Sequence, residues 1–200
     1  MSCKRVLTVL VLVTALPAVL SFNLHILETL DSLKLRLTKK IYDFDPVNIY
    51  GERIPLAILY GSPMIIVNIP FDCDAKRIFV LNDLMARYSE DGLKILAFPT
   101  DEFSPKYPLD QFTSPSVIRD WVNDNQLHFM VFYKIFVNGK YTHPLWKYLK
   151  STFDLYDNDI NEDYTMFLVD KSGKPVERIP GTPWLSTEVL EKRVYSLLKE

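Results

Sequence analysis

The sequence predicts one α/β domain, a central mixed sheet flanked by helices, with an apolar leader and an amphipathic helix ahead of it. Three observations carry this. The run Met64-Ile65-Ile66-Val67, a helical period after it, and Leu93-Lys94-Ile95-Leu96-Ala97-Phe98 form a strand, helix, strand unit, whose long connection makes the two strands parallel. Tyr164 to Val169 and Pro175 to Ile179 bracket Asp170-Lys171-Ser172-Gly173, a hairpin signal that adds antiparallel pairing. The chain has 200 residues, 48% of them hydrophobic and 13% aromatic, with no break in composition, which is enough for one sizeable core.

Taken in order, Lys4 and Arg5 precede an apolar run from Val6 to Leu20, and Ser21 offers a small residue for cleavage. The run is shorter than the ~18 to 20 residues of a membrane span, so residues 1–21 are expected to be a cleaved signal peptide; Phe22 and Leu24 extend the run and leave a signal anchor as the other reading. Residues 22–40 place Leu24, Leu27, Leu30, Leu33 and Leu37 at spacings of three and four, an amphipathic helix expected to pack on the domain of residues 41–200. Asp43 to Ile58 is expected to be a short hairpin turning at Tyr50-Gly51-Glu52, with Pro55 on its edge strand.

Past Met64 to Val67 the chain reaches Cys73 and then a helix carrying Ile78, Leu81, Leu84 and Met85 on one side, ending near Asp91-Gly92. A polar loop spans Thr100 to Thr113. Ser114-Pro115 starts a helix, with Ser as N-cap and Pro at its first position, running to about Asn125. His128 to Ile135 is a candidate strand, Asn138-Gly139 a turn, and His143-Pro144 opens a helix to about Ser151. Ser186 caps a final helix through Val189, Leu190, Val194, Leu197 and Leu198.

Several functions are excluded as expectations. A net charge of −2 advertises neither nucleic acid nor an anionic membrane, and loss of Lys4 and Arg5 makes the chain more acidic. His25, His128 and His143 are scattered without partners at ligand spacing, so no metal site is expected. There is no glycine-rich phosphate loop and no Gly-x-Ser-x-Gly elbow. The acids from Asp154 to Asp163 fit a solvated loop better than a calcium site.

One thiol remains. Cys3 leaves with the signal peptide, so Cys73 cannot form an internal disulfide in an oxidising compartment. It sits at a strand-to-helix turn, where helix N–H groups can hold a thiolate, but Asp72 and Asp74 oppose its ionisation.

The segments Ile41-Tyr42-Asp43-Phe44, Val67-Asn68-Ile69, Leu96-Ala97-Phe98-Pro99, Lys134-Ile135-Phe136-Val137-Asn138-Gly139, His143-Pro144-Leu145-Trp146-Lys147-Tyr148-Leu149 and Phe167-Leu168-Val169-Asp170 resemble, in order and spacing, the glutathione peroxidase family. The resemblance implies a thioredoxin-like fold and places Cys73 where the family keeps its peroxidatic cysteine or selenocysteine. It also marks departures. Pro70, Phe71 and Asp74 stand where the family has Ala, Ser and Gly, and the family's Gln, Trp and Asn partners are Lys106, Glu162 and Asp163. Thr100 stands for the Cys of the family's Phe-Pro-Cys stretch, so no second thiol resolves a sulfenic acid.

Lys106 would favour the thiolate by its charge, whereas Glu162 and Asp163 would oppose it. The resemblance therefore implies a secreted thiol peroxidase that reduces hydrogen peroxide or organic hydroperoxides through Cys73, with no bound cofactor and an external thiol, glutathione or a redox protein, as reductant. The alternative is a weak or inactive pseudoperoxidase serving as a binding module. A third use of Cys73 is an intermolecular disulfide. The short connection from Lys150 to Asn161 matches the family's monomeric branches, and Val47-Asn48-Ile49-Tyr50-Gly51 is similar to the branch of the endoplasmic reticulum. Secretion or residence in that lumen, as a monomer with no transmembrane segment once the signal is removed, is the expectation.

Overall fold

The computed structural model describes residues 3–103, 114–153, 159–181 and 186–199. Five strands form one sheet in the order β3-β2-β1-β4-β5: β1 is Met64–Ile69, β2 Lys94–Pro99, β3 Met130–Val131, β4 Met166–Val169 and β5 Pro175–Ile179. β1, β2 and β3 run parallel, while β4 is antiparallel to β1 and to β5. The sheet is mixed, as the two sequence signals require, and the fold is thioredoxin-like with helices on both faces.

Burial follows the period of two along each strand. Ile65, Val67 and Ile69 of β1, Ile95 and Ala97 of β2, and Met166 and Leu168 of β4 face one way. They meet Ile78, Leu81 and Leu84 of α2 (Ala75–Tyr88), Ile118 and Val122 of α3 (Pro115–Asp124), and Leu190, Val194 and Leu197 of α5 (Thr187–Lys199). Met64, Ile66, Leu96, Phe98, Phe167 and Val169 face the other way, onto Leu145, Trp146 and Leu149 of α4 (Pro144–Phe153). Trp146 is fully buried, edge-on to Phe98 and Phe167 with ring centroids 6.1 and 5.5 Å away. A sheet covered on both faces reads as unbroken apolar runs, which is how β1 reads.

Three expectations are corrected. The N-terminal helix expected over residues 22–40 is present within α1, which runs unbroken over Cys3–Thr38 and passes through Pro17. Its leucine stripe is not packed on the domain, since Leu24, Leu27, Leu30, Leu33 and Leu37 are all exposed. Contact is made instead against α4, with Leu35 half-buried on the second core layer. The expected hairpin over Asp43 to Ile58 is reduced to a single bridge, Val47 to Arg53, closed by Asn48, whose side-chain oxygen accepts from Tyr50 and Glu52 N–H. One-turn helices, Ile41–Asp43 and Leu56–Leu59, flank it and bury Ile41, Leu56 and Leu59, so those apolar residues serve the core through turns. The strand from His128 to Ile135 shrinks to β3, and Ser114 sits at the N-cap of α3 with its hydroxyl paired to Ser116 at 2.7 Å.

Among residues whose side chains are described, no helical stretch is long and apolar enough to cross a membrane.

Candidate active site around Cys73

The parallel β1 delivers the chain to the C-terminal edge of the sheet, where sites form in such folds. Five residues there, 70–74, separate β1 from α2 and carry Cys73, which is half-buried. Trp121 of α3 holds this turn from outside: its indole N–H donates to the Phe71 carbonyl at 2.7 Å, and its ring meets Phe71 edge-on at 5.1 Å.

The turn is held from inside by Asn68. This residue is fully buried on β1 and its side-chain amide donates to the Glu162 carbonyl at 3.1 Å. The Tyr164 N–H donates to the Asn68 carbonyl at 2.8 Å. Segment 162–165 is thereby pinned beside Cys73. Gly181 closes the other side, with its backbone so close to the Asp163 carbonyl that a Cβ would collide with it.

The helix start does not serve the thiol directly. Asp74 is the N-cap of α2, and its carboxylate accepts the Lys76 N–H at 2.9 Å. The Asp74 N–H donates to the Tyr164 hydroxyl at 2.8 Å. The Cys73 thiol donates to the Pro70 carbonyl, with sulfur and oxygen 3.3 Å apart, a bond that only the protonated thiol makes.

Burial pushes the Cys73 thiol up to about 12; a hydrogen bond with Tyr164 acts in the opposite direction, and Asp72, Asp163 and Asp74 add to the rise. The site therefore rests as a neutral thiol. Asp163 is itself perturbed: burial and the charge of Asp72 carry its carboxyl up to about 7 against the pull of Arg77, with Glu162 adding to the rise. One of its oxygens, Oδ1, is buried with no hydrogen-bond partner. Tyr164 is raised as well, by burial and then by the Cys73 charge.

Asp163 is thus among the carboxylates that raise the Cys73 thiol, and Glu162 among the groups that raise Asp163. Lys106 lies outside the described residues. Thr100 is fully buried just past β2, its N–H bonded to the Ile69 carbonyl at 3.0 Å, and it supplies no sulfur chemistry. Tyr164, whose hydroxyl accepts the Asp74 N–H, is a residue of the Cys73 turn that sequence reasoning missed. It reads there as the first residue of a strand and as core aromatic content, and only its place next to the Glu162-Asp163 pair signals a role. No group of three or more His, Cys, Asp or Glu side chains able to hold a metal occurs among the described residues.

A thioredoxin-like fold presenting one cysteine between its first parallel strand and the helix after it defines a thiol-based oxidoreductase scaffold. The family model for glutathione peroxidase matches residues 41–150, and the chain belongs to the glutathione peroxidase family. The phospholipid hydroperoxide glutathione peroxidase of Sus scrofa is 33% identical over 162 residues, covering 78% of this chain and 79% of its own. Glutathione peroxidase 1 of Helianthus annuus is 31% identical over 164 residues, 80% and 96% of the two chains. Among solved structures, T. cruzi GPX1 superposes with a TM-score of 0.62 at 29% identity, covering 80% of this chain and 97% of that one. The family comprises peroxidases that take glutathione or thioredoxin as external reductant and hold no prosthetic group.

Proposed function

We propose that this chain is a slow thiol peroxidase of the secretory pathway, working through Cys73 with an external thiol. The observation that carries the reading is the pairing of a thiol at the family's peroxidatic position with a hydrogen bond from that thiol to Pro70, which holds it protonated at rest. In the first half-reaction the Cys73 thiolate attacks the terminal oxygen of a hydroperoxide. The S–O bond forms, the O–O bond breaks, the departing alkoxide takes a proton, and sulfur becomes a sulfenic acid. In the second, one external thiol displaces water to give a mixed disulfide, and a second thiol releases Cys73 and leaves as disulfide. Only the ionised fraction of Cys73 reacts, so the rate at neutral pH is small.

The charged N-terminus and apolar run of residues 1–21 support entry into the secretory pathway, and the short Lys150 to Asn161 connection supports a monomer. The test is consumption of hydrogen peroxide or a lipid hydroperoxide with glutathione or thioredoxin as donor. Consumption by the wild type that disappears in Cys73→Ser is expected; equal rates in the two proteins overturn the reading. The three aspartates around the thiol favour a second reading, a pseudoperoxidase that keeps the scaffold for binding. That reading predicts no Cys73-dependent turnover even at pH 9.

A further inference from the structure

We propose that the mouth around Cys73 selects its external reductant by charge, taking a thiol flanked by cationic groups in preference to the anionic glutathione, with Asp72 and Glu162 as the specificity-determining residues. The assignment rests on the reading of Cys73 as the reacting group and names the class of thiol that reduces it.

The chain supplies no reductant of its own. Cys73 is the one cysteine beyond the leader, so a sulfenic acid formed on it is resolved from outside. In that step the sulfur of the incoming thiol bonds to Cys73 Sγ, and the sulfenic oxygen leaves as water with the thiol proton. A second thiol then takes the first away as a disulfide and returns Cys73 to the thiol. Both steps bring a molecule from solvent against the turn of residues 70–74, and the charges fixed there act on its approach.

Hydrogen bonds gather those charges. Asp72 and Asp74 adjoin Cys73 in the chain; Asp72 is exposed, and the Asp74 side chain is 49% exposed. Glu162 and Asp163 are carried to the same turn. The Asn68 amide donates to the Glu162 carbonyl at 3.1 Å, and the hydroxyl of Tyr164, the residue after Asp163, accepts the Asp74 N–H at 2.8 Å. Two cations oppose these acids. Arg77 lies 3.5 Å from the Asp74 carboxylate and offsets it, with its guanidinium over the Tyr164 ring, 4.7 Å from the centroid. Lys76 is exposed on the first turn of α2. Asp163 keeps its proton about half of the time at neutral pH, so Asp72, Glu162 and the ionised half of Asp163 outweigh Lys76. The excess is negative. Glutathione carries two carboxylates against one ammonium and is disfavoured there, whereas a cysteine between lysines is favoured.

The test is modification of Cys73 by two methanethiosulfonates of opposite charge, the 2-aminoethyl cation and the 2-sulfonatoethyl anion, in the full chain carrying Cys3→Ser. Each reagent forms a mixed disulfide at Sγ and releases methanesulfinate, and the ratio of the two rates cancels the thiolate fraction. Relative to the same ratio for 2-mercaptoethanol, the cation should be favoured at low salt by about five- to tenfold, the effect of roughly one unit charge ~7 Å away in water on two oppositely charged reagents. Added salt at 0.5 M should remove most of this. Asp72→Asn and Glu162→Gln should each lower the ratio, and the exposure of Asp72 makes its substitution compatible with the fold. A ratio at or below that of 2-mercaptoethanol, or one that neither substitution lowers, overturns the proposal. Peroxide consumption is compared with acetyl-Lys-Cys-Lys-amide and with glutathione as donors, as rates per thiolate. Faster turnover with the peptide is expected; equal or faster turnover with glutathione overturns the proposal. A high ratio without Cys73-dependent consumption from either donor supports the charge selection of the mouth and overturns the peroxidase reading.

Discussion

Asp163 and Cys73 each carry a proton that ordinary residues of their type have lost or are about to lose, because both are buried beside negative charge. For Asp163 the native state binds the proton more tightly than the unfolded chain. Stability therefore falls as pH rises from about 4, the unfolded value, to about 7, the folded one, and levels off above. Asp163→Asn should remove that decline, read as urea midpoints at pH 5 and pH 8 that draw together. The same substitution takes a negative charge away from the thiol, so Cys73 should alkylate faster at pH 8 than in the wild type. A slower thiol would mean that Asp163 assists it. For Cys73 the raised value again means that the native state keeps the proton, and stability falls further as pH rises from about 9 toward 12.

At the scale of elements, the turn between β1 and α2 is a clamp assembled from distant parts. Gly181→Ala should disturb it, since the new methyl group meets the Asp163 carbonyl; the expected signs are a lower urea midpoint and a changed rate of Cys73 alkylation. A second clamp lies at the end of β2. Lys134 donates to Asp101 at 2.7 Å, and with 10% and 1% of their side chains exposed the two form a buried pair. Lys134→Met leaves Asp101 a buried charge that has lost its partner, and should cost about 3–5 kcal/mol in equilibrium unfolding. At α4, Lys150 reaches the Asn138 side chain at 3.0 Å and Asp159 at 2.8 Å, and Asn138 in turn bonds both backbone groups of Ile160. The Asn138-Gly139 turn of the sequence thus serves as a bracket for the connection that leads to Glu162 and Asp163.

At the scale of the whole molecule, one sheet covered on both faces positions the site, and α1 stands largely outside that architecture. Leu24, Leu27 and Leu30 are 58%, 59% and 55% exposed, so they add little to the core. Deleting residues 1–33, which spares Leu35, should leave the urea midpoint of the domain nearly unchanged while lowering its binding of an apolar dye. A large loss of stability would show that the helix supports the domain. The strand, helix, strand unit, the β4–β5 hairpin and the apolar faces of α2 and α5 were legible in the chain because burial repeats at the local periods of two and 3.6. The position of Cys73 was legible for the same reason, since it falls between two such patterns. The short β3 and the one-turn helices at Ile41 and Leu56 were not, because pairing there depends on partners far along the chain, as the bridge between Asn48 and Phe132 does. By itself the sequence determined the sheet, its covering helices and the one cysteine at the edge of β1. Tertiary structure decided the state of that cysteine beyond its local bond to the Pro70 carbonyl, because Asp163 and Tyr164 reach the turn only when the chain has brought residues some ninety positions apart into one low-dielectric site, where proximity and burial set the proton.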